Sequence, residues 1–223
     1  MVEHIIFDCD GVLIDTEIVA AEVMVDWLQS EKVEITVPEF IRGFTGKTFS
    51  DIIQLLQEAK RLHKGTINNS IVHELDNTVR QRVRPIEGVW QMLDAIKQPK
   101  SVVSNSAADY VAEALAKLDI THHFESRVFS SEMVEKAKPS SMVYQLAVDT
   151  LQLPKTSIIT IEDSYTGVMA SISAGLPTIG FLGGSHILDG HGDRLKELGV
   201  IGLAKNHQEL SRIISEFTQA SIR

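Results

Sequence analysis

The sequence predicts an α/β protein with a Rossmann-like parallel sheet core and an inserted all-helical cap domain. From Lys100 onward, short apolar stretches alternate with helical patterns, which is typical of a parallel sheet. Between the first apolar stretch, at residues 5–7, and that region, residues 17–82 carry only helical patterns. We therefore predict a core domain over residues 1–15 and 84–223, and a helical cap domain over residues 16–83.

The cap domain is predicted from apolar residues that recur three to four positions apart. This spacing is found in residues 17–30, 49–60 and 67–82, and Thr48 or Ser50 could cap the second of these helices. Residues 84–88 contain Pro and Gly, and therefore mark a boundary after the cap.

The core elements follow the boundary in alternating order. Strands are predicted at residues 101–104, 127–129, 157–161, 178–181 and 200–203, and helices at residues 89–96, 108–118, 142–151, 165–174 and 208–217. A stretch rich in Gly, His and Asp at residues 183–193 is predicted to be a mobile polar loop, with transition-metal binding as the alternative.

The composition indicates a globular chain with a sizeable apolar core. Of the 223 residues 43% are apolar, the formal charge at pH 7 is −9, and Cys9 is the only cysteine. Because nucleic-acid binding depends on Lys and Arg, an acidic chain disfavours a nucleic-acid partner. No apolar run approaches the ~20 residues of a membrane span, and no signal peptide precedes the first strand. We expect a cytoplasmic protein with no membrane partner, and the sequence does not indicate its oligomeric state.

A pair of carboxylates, Asp8 and Asp10, follows the first strand. If strand geometry continues through Asp10, both side chains project the same way, and Gly11 then permits a sharp turn. Two neighbouring carboxylates repel each other, and a bound cation would offset that cost. Oxygen ligands of this kind suit Mg²⁺. The alternative is a solvated turn without a metal.

Polar residues also follow the second core strand. The Ser104 hydroxyl could donate a hydrogen bond to a phosphate oxygen, and the backbone N–H of Asn105 could add a second. The alternative is that a helix starts here with Ser106 as its N-cap, which is the commoner role for a segment of this kind.

Lys138 precedes Pro139, a residue that often opens a helix. A lysine beside Asp8 would screen its charge and neutralise a phosphate. One alternative is a solvated surface lysine, and another is that Lys136 takes this role.

A second acidic pair, Glu162 and Asp163, ends the strand predicted at residues 157–161. One acid would suffice to cap the next helix, whose dipole favours negative charge there. Two acids, together with Asp8 and Asp10, fit a Mg²⁺ site better. Ligands of open α/β sheets bind at the carboxyl ends of strands, so these segments are expected to meet there.

In this order, the four segments resemble the four motifs of the haloacid dehalogenase (HAD) superfamily. The closer resemblance is to the branch that contains β-phosphoglucomutase and the sugar-phosphate phosphatases. The first motif is Asp-Cys-Asp-Gly-Val-Leu-Ile-Asp-Thr at residues 8–16, and Glu-Asp-Ser-Tyr-Thr-Gly at residues 162–167 matches the fourth in full. The third is the loosest match, because Ala137 and Ser141 replace a Gly and a Pro of the family pattern.

The resemblance implies roles for the catalytic and phosphate-binding residues. It implies that Asp8 attacks phosphorus and becomes an aspartyl-phosphate, while Asp10 is the general acid and base. It also implies that Ser104, Asn105 and Lys138 bind the phosphate.

The resemblance further implies a metal site and a substrate-facing loop. The expected Mg²⁺ ligands are Asp8, the carbonyl oxygen of Asp10, Glu162 and Asp163. The family places a substrate-facing cap loop near Thr45, Gly46 and Lys47.

These roles imply a Mg²⁺-dependent phosphatase that acts on a small phosphorylated metabolite, a sugar phosphate. The nearest alternative is a phosphosugar mutase of the β-phosphoglucomutase type. Mutases of that family carry a His where this chain has Ala20, and lack the acid that Glu17 supplies here. A haloacid dehalogenase needs no Mg²⁺ and lacks the second acid of the first motif. A non-enzymatic regulatory protein on the same fold is disfavoured by the intact acids. No motif identifies the substrate.

Overall fold

The computed structural model describes residues 1–44, 47–63, 69–125 and 127–220. The chain divides into two compact units, of which one comprises Met1–Ile14 with Pro85–Arg223 and the other comprises Asp15–Arg84. We call them the sheet unit and the helical unit.

The sheet unit contains a six-stranded parallel sheet among the described residues, in the order β3-β2-β1-β4-β5-β6. The strands are β1 (His4–Phe7), β2 (Lys100–Ser104), β3 (Val128–Ser130), β4 (Ile158–Glu162), β5 (Thr178–Phe181) and β6 (Gly202–Ala204). β1, β2, β4 and β5 are buried throughout, as expected of a parallel sheet covered on both faces. The predicted α/β fold with a parallel sheet is confirmed.

Ten α-helices are present in the described parts of the chain. They are α1 (Thr16–Ser30), α2 (Val37–Phe44), α3 (Phe49–Glu58), α4 (Asn69–Arg82), α5 (Val89–Ala95), α6 (Ala108–Lys117), α7 (Met142–Leu151), α8 (Tyr165–Ser173), α9 (His191–Leu198) and α10 (His207–Ala220). None of the helices described has the length and apolar character needed to cross a membrane.

The helical unit contains α1 to α4 around its own apolar core, in which Met24, Leu28 and Ile53 are fully buried. Thr48 caps α3 by accepting a hydrogen bond from the backbone N–H of Asp51. α2 was not predicted, although its start carries a capping box: the side chains of Thr36 and Glu39 each accept from the other's backbone N–H.

Two further elements differ from the predictions. α9 begins at His191, so the last three residues of the stretch predicted as a mobile polar loop are helical. Its only buried residue is Leu195, which leaves little apolar periodicity to detect. β6 begins at Gly202 rather than at residue 200, because its pairing with β5 starts between Gly202 and Ile179.

Candidate active site

Three neighbouring strands deliver the predicted site residues to one edge of the sheet. β1 lies between β2 and β4, with Phe7 level with Val102 and Ile161. Asp8 directly follows β1, while Ser104 and Glu162 are the last residues of β2 and β4. The parallel arrangement therefore brings side chains from distant parts of the sequence to the same carboxyl end.

Lys138 connects two of these strand ends. Its Nζ lies 2.7 Å from Asp8 Oδ1, 2.7 Å from Glu162 Oε1 and 2.9 Å from the carbonyl oxygen of Val103. Three acceptors match the three N–H donors of an ammonium group. Burial alone would lower the pKa of Lys138, but the carboxylates of Asp8 and Glu162 outweigh burial and raise it. Lys136, the alternative, is exposed.

Asn105 fixes the backbone of Lys138. The Asn105 side-chain carbonyl accepts from the backbone N–H of Lys138 at 2.9 Å, and its amide group donates to the carbonyl oxygen of Lys138 at 3.2 Å. The Asn105 side chain is thus engaged in holding the lysine in place, whereas the donor predicted for phosphate is the backbone N–H of Asn105.

Asp8, Glu162 and Asp163 form a buried acidic cluster, with one carboxylate oxygen from each within 4.8 Å of the others. Burial and the neighbouring Glu162 raise the pKa of Asp8 well above its ordinary value, and Lys138 only partly opposes them. Burial also raises the pKa of Glu162, whose Oε1 accepts from Lys138 and from the Tyr144 hydroxyl.

This cluster fits a divalent cation. Lys138 supplies one ammonium group against these three carboxylates and contacts two of them, Asp8 and Glu162, so negative charge is in excess when all three are ionised. Within the described part of the chain, the buried Asp163 Oδ1 has no hydrogen-bond partner, as expected of an oxygen that binds a metal. A cation at this position would favour the ionised carboxylates and oppose the raised pKa of Asp8.

Asp10 lies beside the cluster and is held by two serines. The hydroxyls of Ser104 and Ser106 both donate to Asp10 Oδ2, at 3.2 Å and 2.7 Å. The interpretation of Ser106 as a helix N-cap is wrong, because Ala107 occupies that position and Glu132 accepts from the N–H of Ala108. Ser106 was not predicted to be a site residue. The sequence feature that could have indicated it is its position two residues beyond the end of β2.

Comparison with known proteins agrees with this geometry. Residues 5–181 match the family model of haloacid dehalogenase-like hydrolases. The chain belongs to the haloacid dehalogenase-like hydrolase family. The resemblance drawn from the four motifs and the prediction of a hydrolase are therefore confirmed.

Several members of this HAD family are similar to the chain over most of its length. A 6-phosphogluconate phosphatase of Escherichia coli is 26% identical over 83% of this chain and 85% of the relative. A phosphorylated carbohydrates phosphatase of Thermotoga maritima is 29% identical over 96% of this chain and 99% of the relative. The crystal structure of a HAD-like protein of unknown function from Agrobacterium tumefaciens has a TM-score of 0.85 and 26% identity, and covers 98% of this chain and 100% of that one.

Of the three predicted substrate contacts in the cap, the structure describes Lys47. Lys47 is exposed in the helical unit, between α2 and α3. Thr45 and Gly46 lie outside the described residues.

Sequence reasoning also missed two histidines that contact Asp163. His186 Nε2 lies 3.1 Å from Asp163 Oδ2, and His191 Nε2 donates to the backbone carbonyl oxygen of Asp163 at 2.6 Å. Both belong to the stretch at residues 183–193, whose His and Asp content was the available signal.

Proposed function

We propose that this HAD-like hydrolase is a Mg²⁺-dependent phosphatase that hydrolyses a sugar phosphate through an aspartyl-phosphate on Asp8. The named relatives support the reaction and the substrate class, since they are phosphatases of 6-phosphogluconate and of phosphorylated carbohydrates. The observation that carries the proposal is the buried ammonium group of Lys138, which contacts Asp8 and Glu162 next to the buried oxygen of Asp163.

Asp8 is the proposed nucleophile because it is the first acid of the first motif, contacts Lys138 and belongs to the acidic cluster. In the first step one Asp8 oxygen bonds to phosphorus while the bond from phosphorus to the ester oxygen breaks. Asp10 gives a proton to the departing oxygen, so that the sugar leaves as a neutral alcohol. Lys138, with the Ser104 hydroxyl, stabilises charge on the phosphoryl oxygens.

In the second step the aspartyl-phosphate is hydrolysed. Asp10, now ionised, takes a proton from a water molecule whose oxygen bonds to phosphorus, and the bond from phosphorus to Asp8 breaks. Inorganic phosphate leaves, Asp8 is regenerated, and Asp10 is again protonated for the next cycle. The Ser106 hydroxyl supports the Asp10 carboxylate during this exchange, while the Ser104 hydroxyl, which donates to Asp10 in the substrate-free protein, donates to the phosphoryl group instead.

Mg²⁺ suits the acidic cluster because all of its candidate ligands are oxygen atoms. We assign Asp8, Asp163, Glu162 and the carbonyl oxygen of Asp10 as its ligands. Glu162 is the least available of these, since its Oε1 already accepts from Lys138 and Tyr144. When bound, the ion supplies charge stabilisation to the transferring phosphoryl group.

Specificity is assigned to the inserted residues 16–83, which we propose as a cap domain. Thr45, Gly46 and Lys47 are the proposed substrate contacts in this domain, and the ammonium group of Lys47 suits an anionic substrate. This assignment follows from the family resemblance of the segment.

The proposal is tested by phosphate release from a panel of phosphomonoesters with Mg²⁺. The panel should contain 6-phosphogluconate, several hexose phosphates and non-carbohydrate esters. We expect the best substrate of the panel to be a sugar phosphate. The Asp8→Asn variant should release no phosphate from it. If a sugar phosphate is instead converted to an isomer with the phosphoryl group on another hydroxyl, and no phosphate is released, the chain is a mutase.

A further inference from the structure

Two histidines from one segment hold Asp163 at two different points. His186 Nε2 lies 3.1 Å from the carboxylate oxygen Oδ2, and His191 Nε2 donates to the backbone carbonyl oxygen at 2.6 Å. His186 belongs to the β5–α9 loop (residues 182–190), and His191 is the first residue of α9. Both are therefore supplied by the segment that leaves the neighbouring strand β5.

The surroundings of His186 are shaped to admit its ring. A Cβ atom on Gly184 would lie 2.8 Å from His186 Cε1, and one on Gly11 would lie 3.0 Å from the same atom. The Cβ on Gly11 would also lie 2.0 Å from Asp163 Oδ2. Glycine is thus required on both sides of the contact between His186 and Asp163, and Gly11 also has a φ of +80° that favours glycine.

The contact with His186 engages only one of the two carboxylate oxygens of Asp163, a member of the acidic cluster. Asp163 Oδ2 is engaged by His186, whereas the buried Oδ1 has no hydrogen-bond partner among the residues that the structure describes. A carboxylate held at one oxygen and at its backbone loses most of its rotational freedom. Its free oxygen is therefore presented in a fixed direction before any ligand arrives.

We infer that His186 and His191 are positioning residues that orient Asp163 as a metal ligand. His186 fixes the carboxylate, and His191 fixes the backbone that carries it. The inference rests on the proposed function, because it has meaning only if Asp163 binds a metal ion. It assigns a role to the β5–α9 loop that the four motifs do not cover.

Residues that hydrogen-bond to metal ligands typically contribute about 10–100-fold to metal affinity. We therefore expect His186→Ala to weaken Mg²⁺ binding by about 10–100-fold. His186→Gln should stay close to wild type, because its terminal amide can replace the Nε2 donor. His186→Asn should behave as His186→Ala does, since its amide is too short to reach Asp163.

The test is calorimetric titration of Mg²⁺ into the substrate-free enzyme, together with thermal unfolding in EDTA and in Mg²⁺. A bound ion raises the melting temperature by an amount that follows its dissociation constant. We expect His186→Ala and His186→Asn to lose most of this increase, and His186→Gln to keep it. A merely structural role would instead lower the melting temperature equally in EDTA and in Mg²⁺. The control is His73→Ala, which changes an exposed histidine on α4.

The outcomes separate this inference from the proposed function. If wild type binds Mg²⁺ and releases phosphate, while the folded His186→Ala or His186→Asn protein binds the ion equally well, the inference fails alone. If wild type neither binds Mg²⁺ nor hydrolyses any phosphomonoester, both fail. Should His186→Ala not fold, the comparison of His186→Asn with His186→Gln decides the matter, and equal affinities in those two variants overturn the inference.

Discussion

Replacement of Lys138 with Ala removes one ammonium group that contacts three oxygen atoms. Those atoms are Asp8 Oδ1, Glu162 Oε1 and the carbonyl oxygen of Val103. The positive charge needs no reorganisation when charge develops on a phosphoryl group, because the lysine is buried and Asn105 fixes its backbone. Loss of such a preorganised donor typically costs about 10²–10³ in rate.

We therefore expect Lys138→Ala to lower kcat/KM at least about a hundredfold, or about 2.7 kcal/mol of transition-state stabilisation. Lys136→Ala is the matched control, because Lys136 is exposed two residues away, and it should stay within a few-fold of wild type. The assay is phosphate release at saturating Mg²⁺, so that a weakened metal site is not mistaken for a lost cation.

The same change also affects stability. Removal of one partner from a buried ion pair typically costs about 3–5 kcal/mol, so Lys138→Ala must be shown to be folded at the assay temperature. Lys138→Met, which fills more of the vacated space, controls for lost packing and should be equally inactive. The reasoning is refuted if folded Lys138→Ala retains activity within a few-fold of wild type, or if Lys136→Ala is the damaging change.

Three further predictions concern the acid, the metal and the sheet. Asp10→Asn should slow the first step, followed as pre-steady-state release of the alcohol, by about 10²–10⁴, and by less for an ester with an activated leaving group; equal losses in this step for both esters would exclude Asp10 as the acid. EDTA should stop activity and Mg²⁺ restore it, and Asp163→Ala should raise the Mg²⁺ concentration for half-maximal rate; full activity in EDTA would contradict the metal site. Burial, with smaller effects of Arg127 and Lys100, lowers the pKa of His4 to about 4, so the folded state keeps it neutral where the unfolded chain protonates it. His4 should therefore lower the stability by about 1–2 kcal/mol as the pH drops from 7 to 5, and urea unfolding should show wild type losing about that much more stability than His4→Gln over this range.

The grouping of site residues at the strand ends was predictable, because the carboxyl ends of parallel strands lie at the same edge of a sheet. Asp8, Ser104 and Glu162 each follow or end a short apolar stretch, and the structure brings these three strand ends together. Lys138 could be found only through the motif resemblance, since an isolated lysine carries no signal of burial. Its burial depends on partners 130 and 24 residues away along the chain.

Other features depend on contacts that local sequence does not encode. Asn105 pairs with the backbone of Lys138, 33 residues away, so its side-chain partner could not be inferred from the second motif. Ser106 resembles a helix cap locally, yet its hydroxyl donates to Asp10, 96 residues away. The contact between His186 and Asp163 requires β4 and β5 to be neighbours and glycines at 11 and 184, which only the folded sheet brings together.

Asp8 should carry the phosphoryl group between the two steps of the reaction, and mass spectrometry of the acid-quenched enzyme can detect it there. Asp10→Asn should be mixed with Mg²⁺ and an ester with an activated leaving group, because the first step then proceeds while hydrolysis of the intermediate is slowed. We expect a mass increase of one phosphoryl group, located on the peptide that contains Asp8, and no increase when Asp8→Asn is added to the same protein. Continued turnover without a mass increase, or an increase that persists with Asp8→Asn, would rule out an aspartyl-phosphate on Asp8.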